Sequence, residues 1–174
     1  MPLLRVRTIC VLLLFLPLTT PCSLLFTTLR TTPASLAHAN ALQSLRGPDA
    51  TTLTRVNNHT YLHNLLHMSG ATPTTQPYTN NVDKYALYNG EIYNSADYLP
   101  PNNPSSDGTA LLPAYNRHGP TFPQHLDGEF ALLLVDYAND LIVLATDAFG
   151  TKPLHVAVVG RDVVVASYKS AVER

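Results

Sequence analysis

Few residues in this 174-residue chain have types and spacings suited to chemistry, and they are thiols, imidazoles, carboxylates and an Asn-Gly pair. Cys10 and Cys22 are its two cysteines. Two cannot staple a small scaffold, and there is no Cys-x-x-Cys pair for zinc, so a functional cysteine here would act as a single reactive thiol. Cys10 lies inside an apolar run and is expected to be inert. For Cys22 a reactive thiol, a small buried residue and part of a leader all remain open. His59, His63 and His67 recur every fourth residue. On a helix that spacing would line up three imidazoles for zinc, but no acidic or Cys ligand lies near them in the sequence. Solvated or hydrogen-bonded histidines are therefore expected, and no metal. On composition, Asn89-Gly90 reads as a hairpin turn. Asp107 reads as an acid in the first turn of a helix, where the dipole favours it.

The elements that must position these groups read as a β-rich domain from Asp49 onward. Tyr85 to Tyr88 is a short strand, and Glu129 to Asp136 and Leu141 to Thr146 are strands joined by Tyr137-Ala-Asn-Asp140. Phe130, Leu132 and Leu134 fall on one face of the long strand, and Ala131, Leu133 and Val135 on the other. A strand apolar on both faces is covered on both sides. Leu154 to Val159 and Asp162 to Ala166 form a hairpin turning at Gly160-Arg161. A helix is expected to start near Ser106 as its cap and to end at Gly119, burying Ala110, Leu111, Ala114 and Tyr115. Pro113 inside it predicts a kink or an early end. Hairpins with a few helices indicate an α+β domain with antiparallel sheets. The length suits one domain, and a net charge of −1 without charged blocks gives no reason to expect nucleic acid or an anionic membrane as a partner.

The first 48 residues contain no Asp or Glu, while Arg5 and Arg7 precede an apolar run from Ile9 to Leu16 and then Thr19-Thr20-Pro21. A basic start, a short apolar core and a polar end make the layout of a secretory signal, and an acid-poor, Thr-rich leader also fits an organellar transit peptide. The run is too short to span a bilayer unaided. A start codon set upstream of the true one is the third option, and an N-terminal core strand or anchor the fourth. Residues 1–21 are thus expected to be a leader, and residues 22–174 the domain. The compartment follows from that choice: cytoplasmic for a mis-set start, organellar or secretory otherwise. Asn58-His-Thr60 is a glycosylation sequon, relevant only in the secretory pathway.

Six short pieces recur in order: Arg46-Gly-Pro-Asp49, Gln76-Pro77, Asn89-Gly-Glu-Ile-Tyr-Asn94, Ser106-Asp107, Leu126-Asp-Gly-Glu-Phe-Ala131 and Asp147-Ala-Phe-Gly-Thr-Lys-Pro-Leu154. Each alone is weak, but their order and spacing resemble class II glutamine amidotransferase domains of the asparagine synthetase type. The stretch Leu62 to Ser69 is similar to the divergent asparagine synthetase domain-containing branch. The resemblance implies a four-layer αββα sandwich with two antiparallel sheets. It also implies a cysteine that becomes the first residue of the mature chain, whose thiolate attacks the amide of glutamine and whose α-amine shuttles the proton. Cys22-Ser-Leu-Leu-Phe26 resembles the family's first strand, with Ser23 where glycine is usual, so the resemblance makes Cys22 the nucleophile. Pro21 before it is unlike the small residue that signal peptidase favours. Asn89 and Gly90 resemble the oxyanion hole, and Asp107 resembles the carboxylate that holds the substrate's α-ammonium, with Glu91 beside it at the substrate. Arg46 and Asp49 are implied to be structural, pairing near the site. Within this pattern His59 to His67 lies on a strand.

One expected residue is different. The family places an arginine about a dozen residues before Gln-Pro to grip the α-carboxylate of glutamine, and the matching position is Leu65. The resemblance implies glutamine as substrate, no cofactor, and an ATP-dependent synthetase domain or subunit as consumer of the ammonia. No Ser-Gly-Gly-x-Asp-Ser pyrophosphate loop occurs in the chain, so it is expected to be the glutaminase half or a fragment of a longer protein. A catalytically silent module on this fold and a hydrolase acting on another amide are the competing expectations.

Overall fold

The computed structural model describes residues 22–101 and 105–173. Cys10, the run from Ile9 to Leu16 and the expected leader lie outside the described residues. The strands in chain order are β1 (Ser23–Thr27), β2 (Ala50–Val56), β3 (His59–Leu65), β4 (Tyr78–Thr79), β5 (Lys84–Ile92), β6 (Gly128–Asp136), β7 (Leu141–Thr146), β8 (His155–Val159) and β9 (Asp162–Ala166). The helices are α1 (Pro33–Gln43) and α2 (Leu111–His118).

Two antiparallel sheets result, one ordered β2-β3-β1-β9-β8 and the other β4-β5-β6-β7. Three apolar clusters show how they stack. Leu24, Phe26, Tyr61 and Val165 of the first sheet meet Leu87, Leu133 and Val135 of the second. Phe130, Leu132 and Leu134 face the opposite way, against Leu111, Ala114, Tyr115 and Phe122 of the α2 region. Leu25, Leu62 and Ala166 pack on Leu36 of α1. The layers are therefore helix, sheet, sheet, helix, the αββα sandwich expected. The period-2 alternation of β6 makes this possible, because each successive side chain enters a different layer.

Local chemistry explains most element ends. Thr32 caps α1 in a reciprocal box with Ser35, and Pro33 fills the first helical turn, where no N–H is needed. The Tyr137–Asp140 and Gly160-Arg161 turns fall between strands as expected. Two expectations are corrected. Ser106 does not cap a helix: a 3-10 turn over Asp107–Ala110 intervenes and α2 begins at Leu111. Pro113 consequently sits in the first turn of α2, where its missing N–H costs nothing, and the helix runs on to Gly119 at φ 60°. Asn89-Gly90, a turn on composition, lies inside β5, opposite Ala131 and Phe130.

Candidate active site

Cys22 immediately precedes β1, the middle strand of its sheet. Its Sγ accepts the Leu66 N–H at 3.2 Å and lies 3.4 Å from the Leu66 carbonyl. Ser23 is fully buried and has a use for its hydroxyl, which donates to the Gln43 carbonyl at 2.8 Å and accepts from Asn64 Nδ2 at 2.9 Å. Burial pushes the Cys22 thiol above its ordinary range; the backbone N–H of Leu66 pulls it down, Asp107 pushes it up and Arg46 pulls it down. A thiol held protonated in this way needs a base before it can attack.

A small cavity, about 30 Å³, opens beside the sulfur. Its wall includes Cys22, Leu65, Gly90, Glu91 and Asp107, contributed by four separate stretches of chain. The space is about one water molecule's share of liquid volume. A second hollow of about 540 Å³ shares Ser69 and Asp107 with it and continues along Ser95, Leu99 and Pro100.

Asp107 is the best-bonded residue here. Its Oδ1 accepts from Ser69 Oγ at 2.7 Å and Ser106 Oγ at 3.1 Å. Its Oδ2 accepts from Tyr88 Oη at 2.7 Å and the Ile92 N–H at 2.6 Å. Burial and then the charge of Asp107 raise the Tyr88 phenol well above its usual range, so Tyr88 stays a donor. Tyr78, which shares a hydrogen bond with Ser106 at 3.1 Å, is pushed up to about 12, chiefly by burial. Gln76 holds the Tyr88 backbone from both sides, donating to its carbonyl at 3.0 Å and accepting its N–H at 2.7 Å.

Asn89 is placed differently from its neighbours. It is fully buried, does not line the cavity, and neither Oδ1 nor Nδ2 has a partner among the described residues. Two residues from Leu87, it shares that residue's face of β5, toward the other sheet. His63, two residues from Tyr61 on β3, points into the same layer and is fully buried; neither ring nitrogen has a partner of hydrogen-bond geometry among the described residues, though the Tyr88 backbone lies near the ring. Burial lowers its pKa to about 4. His59 hydrogen-bonds the Tyr137 hydroxyl at 3.0 Å, and β3 is a strand, so the three histidines do not line up as on a helix. No group of three metal-ligating side chains occurs among the described residues. Arg46 is nearly buried with its guanidinium over the Tyr168 ring, and Asp49 accepts the His67 N–H at 2.7 Å.

Sequence reasoning missed Leu66, Ser69, Tyr78 and Tyr88. The alternation along β5 places Tyr88 on the face of Ala86 and so could have found it. Leu66 acts through its backbone and Ser69 from a loop, and neither leaves a signal in residue type.

The family model described as a glutamine amidotransferase domain matches residues 22–174. This chain belongs to that family of glutamine amidotransferase domains. Its relatives mark it as the asparagine synthetase type. Asparagine synthetase [glutamine-hydrolyzing] 1 of Saccharomyces cerevisiae is 35% identical over 119 residues, covering 64% of this chain and 20% of that protein. The enzyme of Asparagus officinalis is 32% identical over 117 residues, with the same coverage. Amidase chyE of Penicillium rubens is 32% identical over 144 residues, 76% of this chain and 21% of that protein. The matched region thus spans about a fifth of these relatives. Among solved structures, glutamine phosphoribosylpyrophosphate amidotransferase from B. subtilis, complexed with ADP and GMP, shares the fold with a TM-score of 0.59 at 17% identity. The match covers 86% of this chain and 42% of that one.

Proposed function

We propose that this domain hydrolyses the side-chain carboxamide of glutamine to glutamate and ammonia, with Cys22 as nucleophile. The supporting observation is the convergence of Cys22, Gly90, Glu91 and Asp107 on one cavity from distant parts of the chain. In this reading the α-amine of a chain beginning at Cys22 takes the thiol proton, and the sulfur attacks the amide carbon. The Gly90 N–H meets the oxyanion, and removing such a donor costs about 3 kcal/mol; the Asn89 amide joins it only by turning from the layer between the sheets toward the cavity. Ammonia leaves with the shuttled proton, and water then cleaves the thioester to the free acid. Asp107 and Glu91 orient the substrate's ammonium, while Arg46 and Asp49 hold the surrounding chain. Residues 1–21 act as a leader that must be removed. The ammonia passes to an ATP-dependent synthetase domain or subunit.

A second reading, a catalytically silent binding or regulatory module, draws on the small cavity and on the four donors already meeting Asp107. The assay is ammonia and glutamate release from the full chain, from a chain starting at Cys22, and from Cys22→Ala of the shorter one. Loss of the general base costs about 10²–10⁴-fold, so the first should be nearly inert, the second active and the third dead. Equal rates in all three would remove the cysteine mechanism, and no activity in any would favour the silent module.

A further inference from the structure

The walls beside Cys22 carry a lopsided charge. Asp107 lies at the junction of the narrow cavity and the larger hollow, and Glu91 lines the cavity. Four donors hold the Asp107 carboxylate, all of them neutral: two serine hydroxyls, a phenol and a backbone N–H. Such bonds fix a negative charge without cancelling it. Glu91 is exposed and makes no ion pair among the described residues. No Lys or Arg belongs to the described lining of either space. The wall instead offers Leu65, buried and apolar, next to Cys22. A carboxylate brought here would lose water against leucine and face two like charges at the wall, whereas an ammonium would gain from both; Arg46, whose charge reaches the Cys22 sulfur, lines neither space.

We propose that this pocket selects a primary carboxamide whose other end carries an ammonium and no carboxylate, with Leu65 as the residue that excludes the acid. The proposal rests on the amide-hydrolase reading of Cys22 and puts this class ahead of glutamine as the preferred occupant of that site. The carboxamide head points into the narrow cavity, which must widen to admit more than a water-sized group, and the body of the molecule lies in the hollow along Leu99 and Pro100, with Asp107 between the two. Glutamine keeps the amide and the ammonium but adds the disfavoured carboxylate. Its α-amide, or a 4-aminobutanamide, does not.

The test is binding to the full chain carrying Cys22→Ala, which can hold an amide without cleaving it. Calorimetric titration would compare L-glutamine, L-glutaminamide, 4-aminobutanamide and uncharged butanamide. The two cationic amides should bind at least about tenfold tighter than glutamine, and butanamide should bind more weakly than 4-aminobutanamide. Glutamine binding as tightly as the cationic amides, or no measurable binding of any of the four, overturns the proposal. Adding Leu65→Arg should reverse the preference toward glutamine; if that variant is unfolded by circular dichroism, the four-ligand series decides alone. The two readings fail separately. Selective binding without ammonia release from the chain starting at Cys22 removes catalysis and leaves the selectivity. Ammonia release from glutamine without any preference for the cationic amides does the reverse.

Discussion

Removing the Asp107 carboxylate should register in the fold as well as in the site. Alanine at this position would leave the Ile92 N–H and the Tyr88 hydroxyl without their acceptor. Stranding a buried donor costs about 1–3 kcal/mol, so Asp107→Ala should lower the urea midpoint measurably, and an unchanged midpoint would mean these bonds do not hold in solution. His63 makes a pH-dependent prediction. Its folded pKa of about 4 lies below the ordinary 6.5, so the unfolded chain takes up the proton first. The stability due to keeping the ring neutral is complete above about pH 6.5, falls as pH drops toward 4 and then levels off, amounting to at most about 3 kcal/mol. His63→Leu should flatten the decline in urea midpoint between pH 7 and pH 4.5; an unchanged slope would show that His63 is not buried neutral. That Cys22, Gly90, Glu91 and Asp107 would lie together was legible because they sit in motifs of fixed order, and they do line one cavity. The burial of Asn89 was not, since it depends on which face of β5 turns toward the other sheet.

The strands were read well from alternation alone, above all β6, whose two apolar faces already required two cover layers. The start of α2 was misread because a serine before an acid looks like a cap whether or not the next turn is α-helical. The hydroxyl of Ser106 was bound to Asp107 and Tyr78 instead. Asn-Gly inside β5 shows the same limit: a local preference for turns gave way to pairing along the whole strand with β6. Gly90 has φ 142°, and a Cβ there would lie 1.9 Å from the Glu129 carbonyl oxygen. Gly160, in the β8–β9 turn at φ 66°, has nothing within 4 Å. Alanine at Gly160 should therefore cost only the left-handed backbone penalty, about 1–2 kcal/mol. Alanine at Gly90 must push two strands apart and should cost more than about 4 kcal/mol. Denaturation of both variants checks the ranking, and similar losses would contradict the pairing of β5 with β6.

Across the whole molecule, the proposed use of the Cys22 α-amine as base would link activity to how the N-terminus is made, so the comparison of the full and Cys22-initiated chains belongs at this scale. The family and the layering were readable because the motifs are spread over nearly the whole domain. The size of the cavity was not, because it depends on how loops after β3 and before α2 close over the sheet edge. The position of β1 carries a further consequence. It pairs with β3 on one side and with β9 on the other, and the Leu24 N–H bonds the hydroxyl of Ser167, 143 residues away. Contacts so distant in sequence form late, after the loop-closure entropy has been met. On the ribosome, the segment bearing Cys22 is therefore made early, while its second neighbour emerges only when almost all of the domain has been synthesised. Until then one edge of β1 has no strand beside it, and the segment that follows Cys22 is held from one side only, by β3.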